Sequence, residues 1–78
     1  MNLTINNEPR ELRAGMTCRE LVSDLTGRVV TEEGRAEGGG PLGVALAVDG
    51  SVVPRSLWAT TELADGQQVE LVTAVQGG

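Results

Sequence analysis

The sequence predicts a small α+β fold, with one helix laid across a mixed sheet. Three observations predict it. Polar and apolar residues alternate near both ends of the chain, at Asn2 to Asn6 and at Gln68 to Ala74, which is the period of a half-buried strand. A single amphipathic segment with its own start and stop signals lies between them, at Thr17 to Thr26. An Asp49-Gly50 pair separates two further apolar runs and marks a tight hairpin.

In the first strand Leu3 and Ile5 share a face. Asn6 and Asn7 tolerate left-handed backbone and suit a tight turn. A returning strand is expected over Arg10 to Arg13, with Leu12 inward, ending at Ala14-Gly15. Thr17 then caps a helix and Glu20, three residues on, completes a capping box. Cys18, Leu21, Val22 and Leu25 fall at i, i+3, i+4 and i+7, and Gly27 suits a left-handed stop.

Between Arg28 and Gly43 the apolar period lapses after Val30. The run Gly38-Gly39-Gly40-Pro41 suits neither helix nor central strand, so residues from about 31 to 41 are expected to form a flexible loop. Such a loop is either a partner-specific contact or a tolerated insertion, since long loops cost little closure entropy. Val44, Leu46 and Val48 alternate with Ala45 and Ala47, so a central strand with both faces at least partly covered is expected. Ser51 to Val53 returns from the hairpin, and Pro54 stops its pairing. Ser56 to Thr61 connects, with Leu57 and Trp58 as anchors, and Leu63 packs under the turn at Ala64-Asp65-Gly66. The domain is expected to span residues 1 to 74, with 75 to 78 as a mobile tail.

Composition narrows the chemistry. At 78 residues the chain is one domain with one thin core. Its formal charge of −5 disfavours nucleic acid and anionic membranes and favours partners with basic faces. No apolar run approaches the ~20 residues that cross a bilayer, and no basic-then-apolar leader opens the chain, so the expected compartment is the cytoplasm. With no histidine and one cysteine, the donors for a zinc site are missing. No histidine, lysine or tyrosine is present to act as a base near neutral pH, and no Ser-His or Cys-His pair exists. The glycine run has no lysine after it and no strand-to-helix setting, so it is not a phosphate loop. Cys18 sits on the apolar helix face and reads as packing. An independent enzyme is not expected.

The terminal Gly77-Gly78 pair follows the last apolar strand almost directly. A tail from Val75 through Gln76 to Gly78 would reach at most roughly 14 Å beyond the body. Without Cβ atoms its last two residues can thread a narrow channel in a partner. A carboxylate resists nucleophilic attack, but joining it to AMP removes its charge and installs a leaving group. A sulfur nucleophile can then displace AMP and leave a thiocarboxylate. No step needs a catalytic side chain on the carrier.

The stretch Val52-Val53-Pro54-Arg55-Ser56-Leu57-Trp58, then Leu63, Asp65-Gly66, Val69-Glu70-Leu71-Val72 and Ala74-Val75-Gln76-Gly77-Gly78, resembles the ThiS family of sulfur carriers for thiamine thiazole synthesis. Met1 to Glu8 and Thr17 to Leu25 resemble that family's opening strand and helix. The loop from about Arg28 to Pro41 is longer than the family's usual one, and Cys18 stands where the family commonly has valine. The resemblance implies a ubiquitin-like β-grasp fold, with the first and last strands parallel at the centre of a four- to five-stranded sheet. It implies adenylation of Gly78 by an E1-like, ATP-using enzyme, sulfur from a donor such as a cysteine desulfurase, and delivery to thiazole synthase. The chain itself would hold no cofactor beyond a transient AMP or thiocarboxylate.

Several readings stay open. Arg55 and Trp58 either contact a partner, or Trp58 covers the core edge while Arg55 pairs with a local carboxylate. Leu71 is either docking surface or core. The diglycine end is shared with molybdopterin-synthase small subunits, other sulfur carriers and ubiquitin-like protein modifiers. The V-P-R-S-x-W stretch favours the thiazole carrier. A plain interaction module with an incidental diglycine is the remaining alternative.

Overall fold

A computed structural model describes residues 1–40 and 42–73. The expected tail, Val75 to Gly78, therefore lies outside the described residues. The chain builds β1 (Asn2–Ile5), β2 (Glu8–Glu11), α1 (Cys18–Thr26), β3 (Val44–Val48), β4 (Ser51–Val53), a 3-10 helix (Arg55–Thr60) and β5 (Gln68–Thr73). The sheet order is β2-β1-β5-β3-β4. β1 and β5 run parallel, and every other neighbouring pair is antiparallel. A parallel pair needs a long crossover, and the path through α1 is part of it.

Local chemistry explains the elements. Asn6 and Asn7 hold φ of 50° and 68°, so a two-residue turn joins β1 to β2, with Ile5 opposite Glu8. β2 thus begins two residues earlier than the apolar pattern suggests. It is an edge strand and accommodates Pro9 opposite Thr4. Leu12, just past β2, is half-buried against the core. Asp49 and Gly50 turn β3 into β4 in the same left-handed way, with φ of 51° and 83°.

The capping box on α1 is complete. The Glu20 amide donates to the Thr17 hydroxyl at 3.2 Å, and the Thr17 amide donates to the Glu20 carboxylate at 3.0 Å. Arg13 forms an ion pair with the same carboxylate. The Thr17 amide, and secondarily Arg13, hold the Glu20 carboxyl below its ordinary range. Gly27 ends the helix at φ 71°, its amide donating to the Ser23 carbonyl.

The core lies between α1 and one face of the sheet. Leu3, Ile5, Leu21, Val22, Leu46, Leu63 and Val69 are buried there, and the 3-10 helix adds Trp58. Cys18 is fully buried, and burial pushes its thiol pKa up, as a packing residue requires.

Two expectations need correction. β3 is central by hydrogen bonding, and its two faces are covered unequally: Val44 and Leu46 are buried, while on the other face Ala45 is exposed and only Ala47 is half-buried. One helix can cover only one face of a sheet this small. The segment before β3 also has more structure than its composition suggests. Val30 and Ala36 are buried and form a bridge, the Thr31 amide donates to the Arg35 carbonyl, and the Glu37 amide donates to the Val29 carbonyl. Its tip reaches the 3-10 helix. A Cβ on Gly34 would lie 2.5 Å from the Arg55 Cβ, so only glycine fits that approach.

Candidate functional site

The last described element before the expected tail is β5, the middle strand of five. β5 is bonded to β1 on one side and β3 on the other, with Thr73 opposite Val44 at its far end. A side chain extends the clamp. The Leu71 amide donates to Asn6 Oδ1 at 2.9 Å, and Asn6 Nδ2 donates to the Leu71 carbonyl at 3.3 Å. Asn6 thus takes over where the β1 ladder stops at Ile5. From sequence Asn6 reads only as a turn residue. The signal for its second role is a polar side chain leaving a strand end beside an expected parallel partner. At the other end of β5, the Gln68 amide donates to Asp49 Oδ1 at 2.9 Å, which ties in the β3–β4 hairpin.

The V-P-R-S-x-W stretch braces the same region. Pro54 precedes the 3-10 helix, which folds Trp58 back under the sheet. Trp58 is fully buried, and its Nε1 donates to the Val53 carbonyl at 2.9 Å. That placement leaves it no face to offer a partner and puts it deep in the core rather than at its edge. Arg55 is exposed; its guanidinium donates to the Val44 carbonyl at 3.2 Å, where the local-carboxylate reading expected an acidic partner. Arg55 therefore stands beside the strand position that faces Thr73.

Leu71 is half-buried and packs on the core. The residue turned outward is its neighbour Val72, 58% exposed. Val72 lies opposite Ala45, and Ala47 lies opposite Val52, which is 72% exposed. These four form an apolar strip across the open face, with Glu70 beside Ala47. Alternation alone shows that Val72 and Leu71 point opposite ways, but it cannot say which way the helix lies. The covered side is set by α1 and Trp58 packing on Leu46 and Val69.

Among the described residues no group of His, Cys, Asp or Glu could hold a metal ion, and no helix is long and apolar enough to cross a membrane. The architecture, a helix over a five-stranded sheet whose first and last strands run parallel at its middle, defines a β-grasp protein of the ubiquitin-like class.

Comparison with known proteins makes this specific. The ThiS family model matches residues 3–78, and the chain belongs to the ThiS family. It is 31% identical over 78 residues to the sulfur carrier protein ThiS of Escherichia coli (strain K12), with both chains fully covered. It is also similar to the crystal structure of a thiamine biosynthesis protein (ThiS) from Geobacter metallireducens, with a TM-score of 0.71, 26% identity and full coverage of both chains. A solution structure of a thiamine biosynthesis protein from the same organism gives a TM-score of 0.67 and 29% identity over all of this chain and 88% of that one.

Proposed function

We propose that this protein is the sulfur carrier of thiamine thiazole synthesis, and that its sulfur travels on the carboxyl group of Gly78. The observation that carries the reading is the family match through the terminal Gly77-Gly78, joined to a strand that leads there from the centre of the sheet. The Gly78 carboxylate attacks the α-phosphorus of ATP on an E1-like partner, releasing pyrophosphate and forming an acyl adenylate. A persulfide, supplied through a donor such as a cysteine desulfurase, displaces AMP to give an acyl disulfide, and a second thiol cleaves this to release the thiocarboxylate and a disulfide. Thiazole synthase then takes the sulfur. The carrier contributes an accessible chain end and no catalytic side chain, and it works in the cytoplasm with these enzymes.

Val75, Gln76 and Gly77 thread the partner's active site. The strip of Val72, Ala45, Ala47 and Val52 meets the partner's surface, because it is apolar, uncovered and continuous with the strand that bears the tail. Arg55 borders the same end of the sheet and is free to meet an acidic group there.

The test is intact mass spectrometry after incubation with an activating enzyme, ATP and a sulfur donor. One oxygen is expected to be replaced by sulfur, localised to the C-terminal fragment, and a chain lacking Gly78 is expected to remain unloaded. Thiamine-requiring cells rescued by the chain lacking Gly78 would overturn the reading.

A further inference from the structure

The segment before β3 gathers cations. A cleft of about 350 Å³ is lined by Arg35, Ala36, Gly39, Gly40, Leu42 and Arg55. Arg28 reaches the same glycine turn from behind, its guanidinium donating to the Gly39 carbonyl at 3.3 Å. Two of the six arginines in a chain of net charge −5 thus line one concavity, and a third bonds its glycine turn. None of the three has a carboxylate within ion-pair distance among the described residues, where the one ion pair is Arg13–Glu20. Glu32, Glu33 and Glu37 belong to the same segment but do not line the cleft. The Arg35 guanidinium makes no hydrogen bond among the described residues, and those of Arg28 and Arg55 each spend one donor on a carbonyl.

The cleft is anchored at both walls. Ala36 is buried, and Gly34 sits so close to the Arg55 backbone that no side chain fits between them. That contact sets the segment against the 3-10 helix, so the cleft draws Arg35 from one and Arg55 from the other. Guanidinium groups present planar, paired donors that match phosphate oxygens, and each keeps its charge at any physiological pH. Gly39 and Gly40 lack side chains, so a ligand can come close to the backbone between the arginines.

We propose that this cleft is a binding site for a phosphate-class oxyanion, presented either as free phosphate or pyrophosphate or as the phosphoryl group of a nucleotide. The site does not depend on the sulfur-transfer reading, although Arg55 borders both the cleft and the end of the sheet assigned to partners. Ala36 and Leu42 give the cleft an apolar wall, against which a nucleoside could rest while its phosphate meets Arg35 and Arg55.

The experiment is a titration of the full, 15N-labelled chain at low salt with phosphate, pyrophosphate and AMP, each against chloride at matched ionic strength. Saturable amide shifts are expected at Ala36, Gly39, Gly40 and Leu42. Arg35→Gln is expected to weaken binding about tenfold, the factor one charge-assisted hydrogen bond represents. Arg55→Gln, which removes the other arginine of the lining, is expected to weaken it further on the same background. Tighter binding of AMP than of phosphate would identify a nucleotide phosphoryl group as the ligand, and equal or weaker binding would identify the free anion. Shifts that grow linearly with concentration, that chloride reproduces, or that persist unchanged in the double variant would overturn the site. Retained dispersion of the strand amides in each variant establishes that the fold is intact.

Discussion

The two faces of the sheet differ sharply. One carries Leu3, Ile5, Leu46 and Val69 under α1 and Trp58, all buried. The other carries Ala45, Val52 and Val72 in the open, and β3 and β5 contribute to both faces. Strands β3 and β5 thus bury one set of side chains and leave open the alternate set, the one proposed to meet a partner. A chain this short has apolar residues enough to fill one layer, and the small alanines keep the uncovered side flat. The difference teaches that stability and partner binding should be separable one residue at a time.

Trp58→Ala should break the covered side outright. Removing a large buried aromatic costs about 3–5 kcal/mol, a large part of the 5–15 kcal/mol typical of a whole domain. It also removes the indole hydrogen bond to the Val53 carbonyl. Urea denaturation followed by circular dichroism should show the cooperative transition displaced far downward or lost.

Val72→Gln should act on the open side alone. Its side chain touches solvent, so the cost in stability should stay within about 1 kcal/mol. The KM of the activating enzyme for the carrier should rise about tenfold, the loss of one modest interface anchor. An unchanged KM would mean that partners dock elsewhere.

Smaller effects sharpen the boundary of the covered side. Thr17→Ala removes the helix cap and should cost about 1 kcal/mol in thermal or urea unfolding, leaving sulfur loading unchanged at temperatures where the fold persists. The smallest effect is a pH dependence. The Glu20 carboxyl is held low in the folded chain, first by the Thr17 amide and then by Arg13. Its contribution is therefore full at neutral pH and fades as pH falls through the depressed folded value. Glu20→Gln should flatten that part of the stability profile, measurable as melting temperature from neutral to acidic pH.

Much of this was legible in the residues. Thr17, Glu20 and Gly27 mark the helix ends because caps are local chemistry, readable without tertiary contacts. Asn6-Asn7 and Asp49-Gly50 mark their turns for the same reason. Other features depend on partners distant in sequence. Ala45 reads as covered because alanine is apolar, and only the position of α1 shows that its face is bare. Val30 and Ala36 show no period because a single bridge buries them, not a strand or helix. Trp58 could have lain at the edge or the centre, and the 3-10 helix after Pro54 decides for the centre. The Gly78 end is legible as sequence alone, because its proposed chemistry belongs to a chain end rather than to a folded pocket.

The parallel pairing of β1 with β5 has a mechanical consequence. A tail held by a partner enzyme transmits its pull straight into β5, which is bonded to a neighbour along each edge. If the opposing load falls on the start of the chain, β1 and β5 must slide past each other, and their shared hydrogen bonds resist together instead of opening one by one. The carrier can be tugged by its end without unravelling from it.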